Sequence, residues 1–152
     1  MILTAQRREE IGGLRWDEID FGRGLIVLGP ERTKNRRPHE LPLPPKAKAI
    51  LERQPRQWPW VFGNPRRSFT NWGDPKGKLP ALAAPWRLHD LRRTTATGMA
   101  ELGTLPHVIE AVLNHVSGHR AGVAGIYNRA TYAKEMREAL ERWADHVEAI
   151  TK

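Results

Sequence analysis

The sequence LNHVSGHRAGVAGIYNR, residues 113–129, places His115 and Tyr127 on either side of a basic segment rich in glycine and alanine. His115 closes an apolar run, and Tyr127 follows twelve positions later. Taken singly, His115 fits a histidine at a helix C-terminus, where the macrodipole favours positive charge, and Tyr127 fits an ordinary half-buried tyrosine. The glycines predict a segment that can bend.

Helices are predicted on both sides of this stretch. WRLHDLRRTTATGMAELG, residues 86–103, is helical and ends at Gly103, a residue type typical of the position after a helix. TLPHVIEAVLNH begins a new helix, with a proline inside its first turn. In the last stretch, TYAKEMREALERWADHVEAI, apolar residues recur at intervals of four and three and form one stripe on a helix. The members of this stripe are Met136, Leu140, Trp143, Val147 and Ile150.

The front half of the chain predicts a short helix, a small sheet and a second helix. Thr4 is the expected N-cap of the first helix, which ends at the glycine pair Gly12-Gly13. Leu25 to Leu43 is interpreted as a small hairpin or a three-stranded sheet. Residues 63–85 are rich in Gly, Pro, Asn and Arg, which suits a long surface loop. The predicted fold is therefore α+β and mainly helical, with a small antiparallel sheet near the N-terminus.

Composition excludes several classes of protein and favours an anionic partner. The chain has 152 residues, 25 Lys+Arg against 17 Asp+Glu, a formal net charge of +8 and a pI near 10.4. Such a charge favours nucleic acid or an anionic membrane surface. Because the chain has no cysteine, disulfides, zinc-thiolate sites and thiol nucleophiles are excluded. No apolar run approaches the roughly 18–20 residues of a membrane span, and no signal peptide precedes the first helix, so a cytoplasmic protein is expected.

Three groups of basic residues are candidates for phosphate binding. His89 and Arg92 lie three apart in HDLRRT and share a helix face. A guanidinium beside an imidazole suits a phosphate, because arginine can bind two oxygens at once, but a buried histidine beside a surface arginine fits the same spacing. Arg7 and Glu10, also three apart, fit an exposed helical ion pair. Lys34 lies at the predicted hairpin tip, either as a solvated turn lysine or in contact with phosphate.

As a set, these residues resemble the signature of the tyrosine recombinases, the phage-integrase family. That signature is an arginine in a T-G-x-R-x-x-E context, a lysine on a β-hairpin, H-x-x-R, L-x-H and a tyrosine about a dozen residues later. Order, spacing and local context match across nearly the whole chain, and residues 113–129 look most like integrases of prophages and genomic islands. The matching residues are Arg7 with Glu10, Lys34, His89, Arg92, His115 and Tyr127.

The resemblance implies DNA strand cleavage and rejoining through a covalent 3′-phosphotyrosyl bond. The implied roles are those of nucleophile (Tyr127), phosphate binding (Arg7, Arg92 and His115), general acid (Lys34) and base or proton shuttle (His89). Neither a metal nor a cofactor is expected, because the arginines supply the positive charge and the sequence has no carboxylate-histidine cluster with ligand spacing. The expected partner is double-stranded DNA, and no membrane is expected to be involved.

The resemblance covers residues 1–152 as an integrase catalytic domain, without the N-terminal core-binding domain of the family, so the chain is expected to be a fragment. It implies a bacterial or phage-encoded cytoplasmic protein associated with the nucleoid. Two alternatives stay open: a DNA-binding remnant without efficient catalysis, and a type IB topoisomerase-like enzyme. The C-terminal stripe favours self-association on DNA through the last helix, although packing in cis fits equally well. Ala5 stands where the family usually has glycine, at a position expected to be helical, and Gly12-Gly13 replaces bulkier residues.

Overall fold

The computed structural model describes residues 1–73, 86–115 and 131–152. Over these residues the chain forms five α-helices, a three-stranded antiparallel sheet and a two-stranded hairpin. The helices are α1 (Arg8–Gly12), α2 (Pro45–Glu52), α3 (Leu88–Glu101), α4 (Pro106–Val112) and α5 (Ala133–Ile150). The strands are β1 (Ile19–Asp20), β2 (Leu25–Leu28), β3 (His39–Pro42), β4 (Gly63–Asn64) and β5 (Arg67–Ser68). The predicted α+β, mainly helical fold is confirmed.

The three-stranded sheet lies near the N-terminus, as predicted, in the order β1-β2-β3. Ile26 pairs with Ile19 on one side and with Leu41 on the other. Within β2, Ile26 and Leu28 lie on one face and are at most 2% exposed, whereas Val27 on the opposite face is 37% exposed, so the Ile26 face of the sheet joins the hydrophobic core. The sheet holds β2 and β3 antiparallel, and the ten-residue connection between them, residues 29–38, carries Lys34.

The glycine pair at the end of the first helix is explained by close packing. A Cβ on Gly12 would lie 2.5 Å from the Phe69 carbonyl oxygen and 2.7 Å from Cζ2 of Trp72. A Cβ on Gly13 would lie 3.2 Å from the Arg32 guanidinium. Since a side chain at Gly12 would displace both groups, the pair lets the chain and an indole ring pack directly against the end of α1.

The prediction of one long surface loop over residues 63–85 is wrong in its first part. Gly63 and Asn64 pair with Ser68 and Arg67 as the hairpin β4–β5. Directly after the hairpin, the Phe69 amide donates to the Gly12 carbonyl at 3.1 Å. This hydrogen bond joins the hairpin segment to the end of α1, a contact that the local composition does not predict. Residues 74–85 lie outside the described ranges.

Helix α5 packs its apolar stripe into the chain's own core. Met136, Leu140 and Trp143 are at most 5% exposed, whereas Ile150 is 67% exposed. The helix contacts α3, α4 and β3. The Trp143 indole lies directly over Gly98 of α3, at the place where a Cβ on Gly98 would stand, and its Nε1 donates to the Ile2 carbonyl at 2.8 Å. Packing in cis is therefore the arrangement in this structure.

In the part of the chain that the structure describes, no helix has the length and apolar character needed to cross a membrane.

Candidate active site

An open cleft of about 580 Å³ brings five of the six predicted catalytic residues together. It lies where the N-terminal segment, the β2–β3 connection, α3 and the end of α4 meet. The residues concerned are Arg7, Lys34, His89, Arg92 and His115. The sixth, Tyr127, lies outside the described residues. The catalytic roles of all six stay a prediction, but their convergence from four separate segments is a property of the fold.

Arg7 is held by a carboxylate at the start of α1. It is the N-cap residue of the helix, and its backbone amide donates to Glu10 Oε2 at 2.9 Å. Its Nη1 also donates to Glu10 Oε1 at 2.9 Å. Glu10 is only 3% exposed and Arg7 is 19% exposed. The interpretation of Arg7 and Glu10 as an exposed helical ion pair is therefore wrong. The paired charges fix the direction of the Arg7 guanidinium towards the cleft.

The start of this helix differs from the sequence prediction. Thr4 was the expected N-cap, but α1 begins at Arg8, and Thr4 and Ala5 instead form a turn whose amides donate to the Met1 carbonyl. Ala5 is not helical, because it has a φ of 54°, in the left-handed region. Such a backbone costs alanine roughly 1–2 kcal/mol, and the surrounding bonds compensate for that cost. In this conformation the Ala5 carbonyl accepts a hydrogen bond from Arg92.

Arg92 is the buried arginine of the cleft. It is 6% exposed, and its Nη1 and Nη2 donate to the carbonyls of Ala5 and Leu113, each at 2.5 Å. Burial first, and then the charge of Arg7, lower the pKa of Arg92 to about 10. The side chain therefore stays charged at neutral pH. His89, one turn earlier on α3, is exposed, so the interpretation of a buried histidine beside a surface arginine is wrong for both residues.

His115 is positioned by the way α4 ends. The His115 amide donates to the Glu110 carbonyl at 2.9 Å, and the Asn114 amide donates to the Ala111 carbonyl at 3.1 Å. Asn114 has a φ of 45°. These are the paired bonds and the left-handed residue of a Schellman motif, in which glycine is usual and asparagine is tolerated. The motif reverses the chain just before His115, which leaves the imidazole exposed at the cleft.

Lys34 lies in the connection between β2 and β3, which is anchored at its base. The Arg32 guanidinium donates to the Glu18 carboxylate at 2.5 Å and to the Gly13 carbonyl at 2.6 Å. The Thr33 hydroxyl donates to the Arg37 carbonyl at 2.7 Å and so crosses the connection. Lys34 itself is exposed. Its ammonium is thus presented to the cleft by a turn whose two sides are tied together.

Two residues near the cleft, Asn35 and His39, are not predicted from the sequence. Asn35 donates from Nδ2 to the Asn114 carbonyl at 2.7 Å, which joins the Lys34 turn to the end of α4. His39 of β3 is 6% exposed and its Nε2 lies 3.2 Å from the Val112 carbonyl, which requires Nε2 to carry the proton. Burial lowers the pKa of His39 to about 4, so the ring is neutral beside Arg92 at neutral pH. No local sequence pattern distinguishes either residue.

The cleft is suited to a phosphate group. Two fixed guanidiniums and one lysine converge on it, and two exposed imidazoles lie at its rim. A neighbouring cleft of about 510 Å³ shares Arg7, Lys34, His89 and Arg92 and adds Arg87, so the positive surface continues along the protein. Over the described ranges, no group of three or more His, Cys, Asp or Glu side chains is arranged to hold a metal ion.

Comparison with known proteins identifies relatives over almost the whole chain. The family described as "Phage integrase family" matches residues 1–134. The prophage integrase IntA of Escherichia coli (strain K12) is 36% identical over 97% of this chain and 37% of its own length. The prophage integrase IntZ of the same strain is 33% identical over 99% of this chain and 38% of its own length.

A more distant source gives a similar match. The tyrosine recombinase XerA of Pyrococcus furiosus is 32% identical over 91% of this chain and 50% of its own length. The chain thus spans between 37% and 50% of the length of these three relatives. No solved structure gave a significant match.

Proposed function

The chain belongs to the phage integrase family, and we propose that residues 1–152 act as the catalytic domain of a tyrosine recombinase. The proposed reaction is cleavage and rejoining of DNA strands through a covalent 3′-phosphotyrosyl bond. The observation that carries the proposal is the convergence of five predicted residues in one cleft. Their chemistry accounts for each need of the reaction other than the nucleophile, which is assigned to Tyr127.

The phosphodiester binds between the two arginines. Arginine has five N–H donors, so Arg92 keeps donors for a phosphate while two of them are held by the carbonyls of Ala5 and Leu113. Arg7 is held in the same way by Glu10. Because both guanidiniums are fixed before substrate arrives, they stabilise charge developing on the non-bridging oxygens without reorganising during the reaction. His115 adds a third donor at the rim of the cleft.

Proton transfer is assigned to the more exposed residues. The Tyr127 phenol attacks the phosphorus and forms the 3′-phosphotyrosyl bond as the bond to the 5′-oxygen breaks. With a reference pKa near 10, only about one tyrosine in a thousand is ionised at pH 7, so His89 accepts the phenolic proton. Lys34 gives a proton to the departing 5′-oxygen. In rejoining, the 5′-hydroxyl attacks the phosphotyrosine and the two protons return.

The proposed partner is double-stranded DNA, which in a bacterial or phage setting places the protein at the nucleoid. A formal net charge of +8 supports binding to the DNA backbone. Each phosphate neutralised by a lysine or arginine releases counterions and makes affinity depend on salt. The relatives that this chain matches are named as integrases and recombinases, which supports site-specific recombination as the outcome of cleavage.

Self-association on DNA is proposed to use the C-terminal helix. While α5 is packed in cis, the exposed end of its stripe, Ile150, lines a groove of about 610 Å³ between α3 and α5 together with His146. We propose that this end of the helix contacts a neighbouring protomer on DNA. If so, Ile150→Ser should reduce higher-order complexes on a two-site DNA in native gels while single-site binding is unchanged. Unchanged higher-order complexes would remove this part of the proposal.

Covalent capture of DNA tests the proposed function. A radiolabelled suicide substrate with a nick near the cleavage site is incubated with the chain, and covalent adducts are separated under denaturing conditions. Wild type should form an adduct. Arg92→Ala should lower the rate by roughly 10²-fold or more at saturating DNA, by analogy with loss of one oxyanion donor. Binding without any adduct would instead identify a DNA-binding remnant. Relaxation of supercoiled DNA by a monomer, without strand exchange, would identify a topoisomerase-like enzyme.

A further inference from the structure

We propose that Asn35 and Asn114 form an amide clamp that positions the general acid Lys34 against the turn that carries His115. The inference rests on the proposed function, since it assigns two positioning residues to that reaction. Neither asparagine belongs to the signature by which the catalytic residues were predicted. Both line the same cleft as the catalytic candidates.

The clamp consists of hydrogen bonds between segments far apart in the chain. Asn35 Nδ2 donates to the Asn114 carbonyl at 2.7 Å and lies 3.3 Å from Asn114 Oδ1. In the other direction, Asn114 Nδ2 lies 3.4 Å from Asn35 Oδ1 and 3.3 Å from the Arg37 carbonyl. The Arg37 amide donates to Asn35 Oδ1 at 3.2 Å. One amide therefore organises the Lys34 turn and bonds to the end of α4 at the same time.

The chemistry of these positions favours asparagine. Asn114 has a φ of 45°, a left-handed conformation that asparagine adopts more readily than most residues. Glycine would also fit this backbone but would lose the side-chain bonds to Asn35 and Arg37. Asn35 needs a donor towards the Asn114 carbonyl and an acceptor towards the Arg37 amide, and a side-chain amide supplies both.

The consequence for catalysis follows from the neighbours of the two asparagines. Lys34 directly precedes Asn35, and His115 directly follows Asn114. Lysine has a long flexible side chain and donates as a point charge. The position of its backbone therefore determines how much of the time the ammonium lies within hydrogen-bond distance of the leaving oxygen. Arg32 ties the β2 side of the connection to the Gly13 carbonyl, and the bond from Thr33 to the Arg37 carbonyl closes the turn on itself. The clamp adds a contact on the cleft side, which joins the turn that carries Lys34 to the turn that carries His115.

The test combines a double-mutant cycle with a substrate that bypasses Lys34. The variants are Asn35→Ala, Asn114→Gly and the double variant, and Asn71→Ala serves as control because Asn71 is exposed and does not line the cleft. Adduct formation is measured at saturating DNA on two suicide substrates, one with the natural 5′-oxygen and one with sulfur at that position. Sulfur leaves without protonation, so the second substrate does not need Lys34. Circular dichroism confirms that each variant is folded at the assay temperature.

A positioning role gives a distinctive pattern. On the oxygen substrate each single variant should slow adduct formation by roughly 10–100-fold, the range expected when a catalytic group is displaced by about 1 Å. The double variant should be no slower than the worse single variant, because the pair acts as a unit. On the sulfur substrate, Asn35→Ala should approach the wild-type rate, and so should Lys34→Ala, which serves as the reference for loss of the general acid. Asn71→Ala should match wild type on both substrates.

Other patterns overturn the clamp. If the fold-decreases in rate of the two single variants multiply in the double variant, the two asparagines have independent roles. An equal defect of Asn35→Ala on both substrates would show that Asn35 does not act through Lys34. A change confined to DNA affinity would make Asn35 a DNA contact. If Asn35→Ala does not fold, Asn35→Asp keeps the acceptor for the Arg37 amide and removes the donor, and the same sulfur rescue is required of it. Absence of adduct with wild type on either substrate would overturn the proposed function itself, whereas a normal wild type with additive variants overturns the clamp alone.

Discussion

Replacing Trp143 by alanine tests whether α5 belongs to the core of its own chain in solution. Trp143 is 3% exposed, its ring covers Gly98 of α3, and its Nε1 donates to the Ile2 carbonyl at 2.8 Å. Truncating a buried aromatic side chain costs about 3–5 kcal/mol, because apolar burial is lost and a cavity is left behind. The orphaned Ile2 carbonyl adds to this loss if water does not reach it.

The matched control is Ile150→Ala, since Ile150 lies on the same stripe of the same helix but is 67% exposed. Its replacement should change the free energy of unfolding by no more than about 0.5 kcal/mol, as for surface substitutions in general. Trp143→Phe should fall between the two, because it keeps most of the ring and loses the hydrogen bond. Urea denaturation followed by circular dichroism gives all three values, and Trp143→Ala should lower the thermal midpoint by roughly 2–4 °C per kcal/mol.

Equal, small losses for Trp143→Ala and Ile150→Ala would refute the reasoning. Such a result would mean that α5 is not docked on its own domain in solution and that its stripe is buried elsewhere, for example on a second protomer. A large loss for Trp143→Ala also predicts that a chain shortened before α5 does not fold stably. The same large loss would mean that α5 can be exchanged between protomers only under conditions in which it detaches from its own core.

Three further outcomes follow from the structure. Burial lowers the pKa of His39 from 6.5 to about 4, so between these pH values the unfolded state binds the proton more tightly than the folded state does. The contribution of His39 to the free energy of unfolding should therefore be complete above about pH 6.5 and should fall by roughly 3 kcal/mol towards pH 4. Urea titrations across this range should show a smaller fall for His39→Gln. Gly12→Ala should lose about 1–3 kcal/mol through overpacking, whereas Gly73→Ala, with no atom within 4 Å of its added Cβ, should change the thermal midpoint little. Arg92→Lys should lower adduct formation about 10²-fold, since a lysine cannot reproduce the guanidinium fork, and recovery of the wild-type rate would contradict that assignment.

Local pattern predicted the elements whose cause is local. The apolar run in β2 and the stripe of α5 reflect which faces are buried, so strand and helix could be located from the period of hydrophobic residues. Gly103 has a φ of 81° and follows the end of α3, as expected of a glycine after a helix. The Gly12-Gly13 pair marked the end of α1 correctly, although the reason for it, packing against Trp72, involves residues far along the chain.

The parts that could not be predicted depend on bonds between distant segments. Arg92 is buried because carbonyls from the N-terminal turn and from the end of α4 meet on it, and no spacing within HDLRRT contains that information. Ala5 departs from helical geometry for the same reason. The contact between Asn35 and Asn114 joins residues 79 positions apart. The motif resemblance indicated which residues converge. The carbonyl and amide groups that hold those residues in place could be identified only from the structure.

Identification of the residue that becomes linked to DNA tests the central claim most directly. The adduct formed on a suicide substrate is trimmed with nuclease and protease, and the modified peptide is sequenced by mass spectrometry. The account predicts a nucleotide joined through its 3′-phosphate to Tyr127, with Tyr127→Phe abolishing the adduct and Tyr132→Phe retaining it. Linkage to Tyr132, linkage through a 5′-phosphate, or an adduct that survives in Tyr127→Phe would contradict the assignment of Tyr127 as the nucleophile of this cleft.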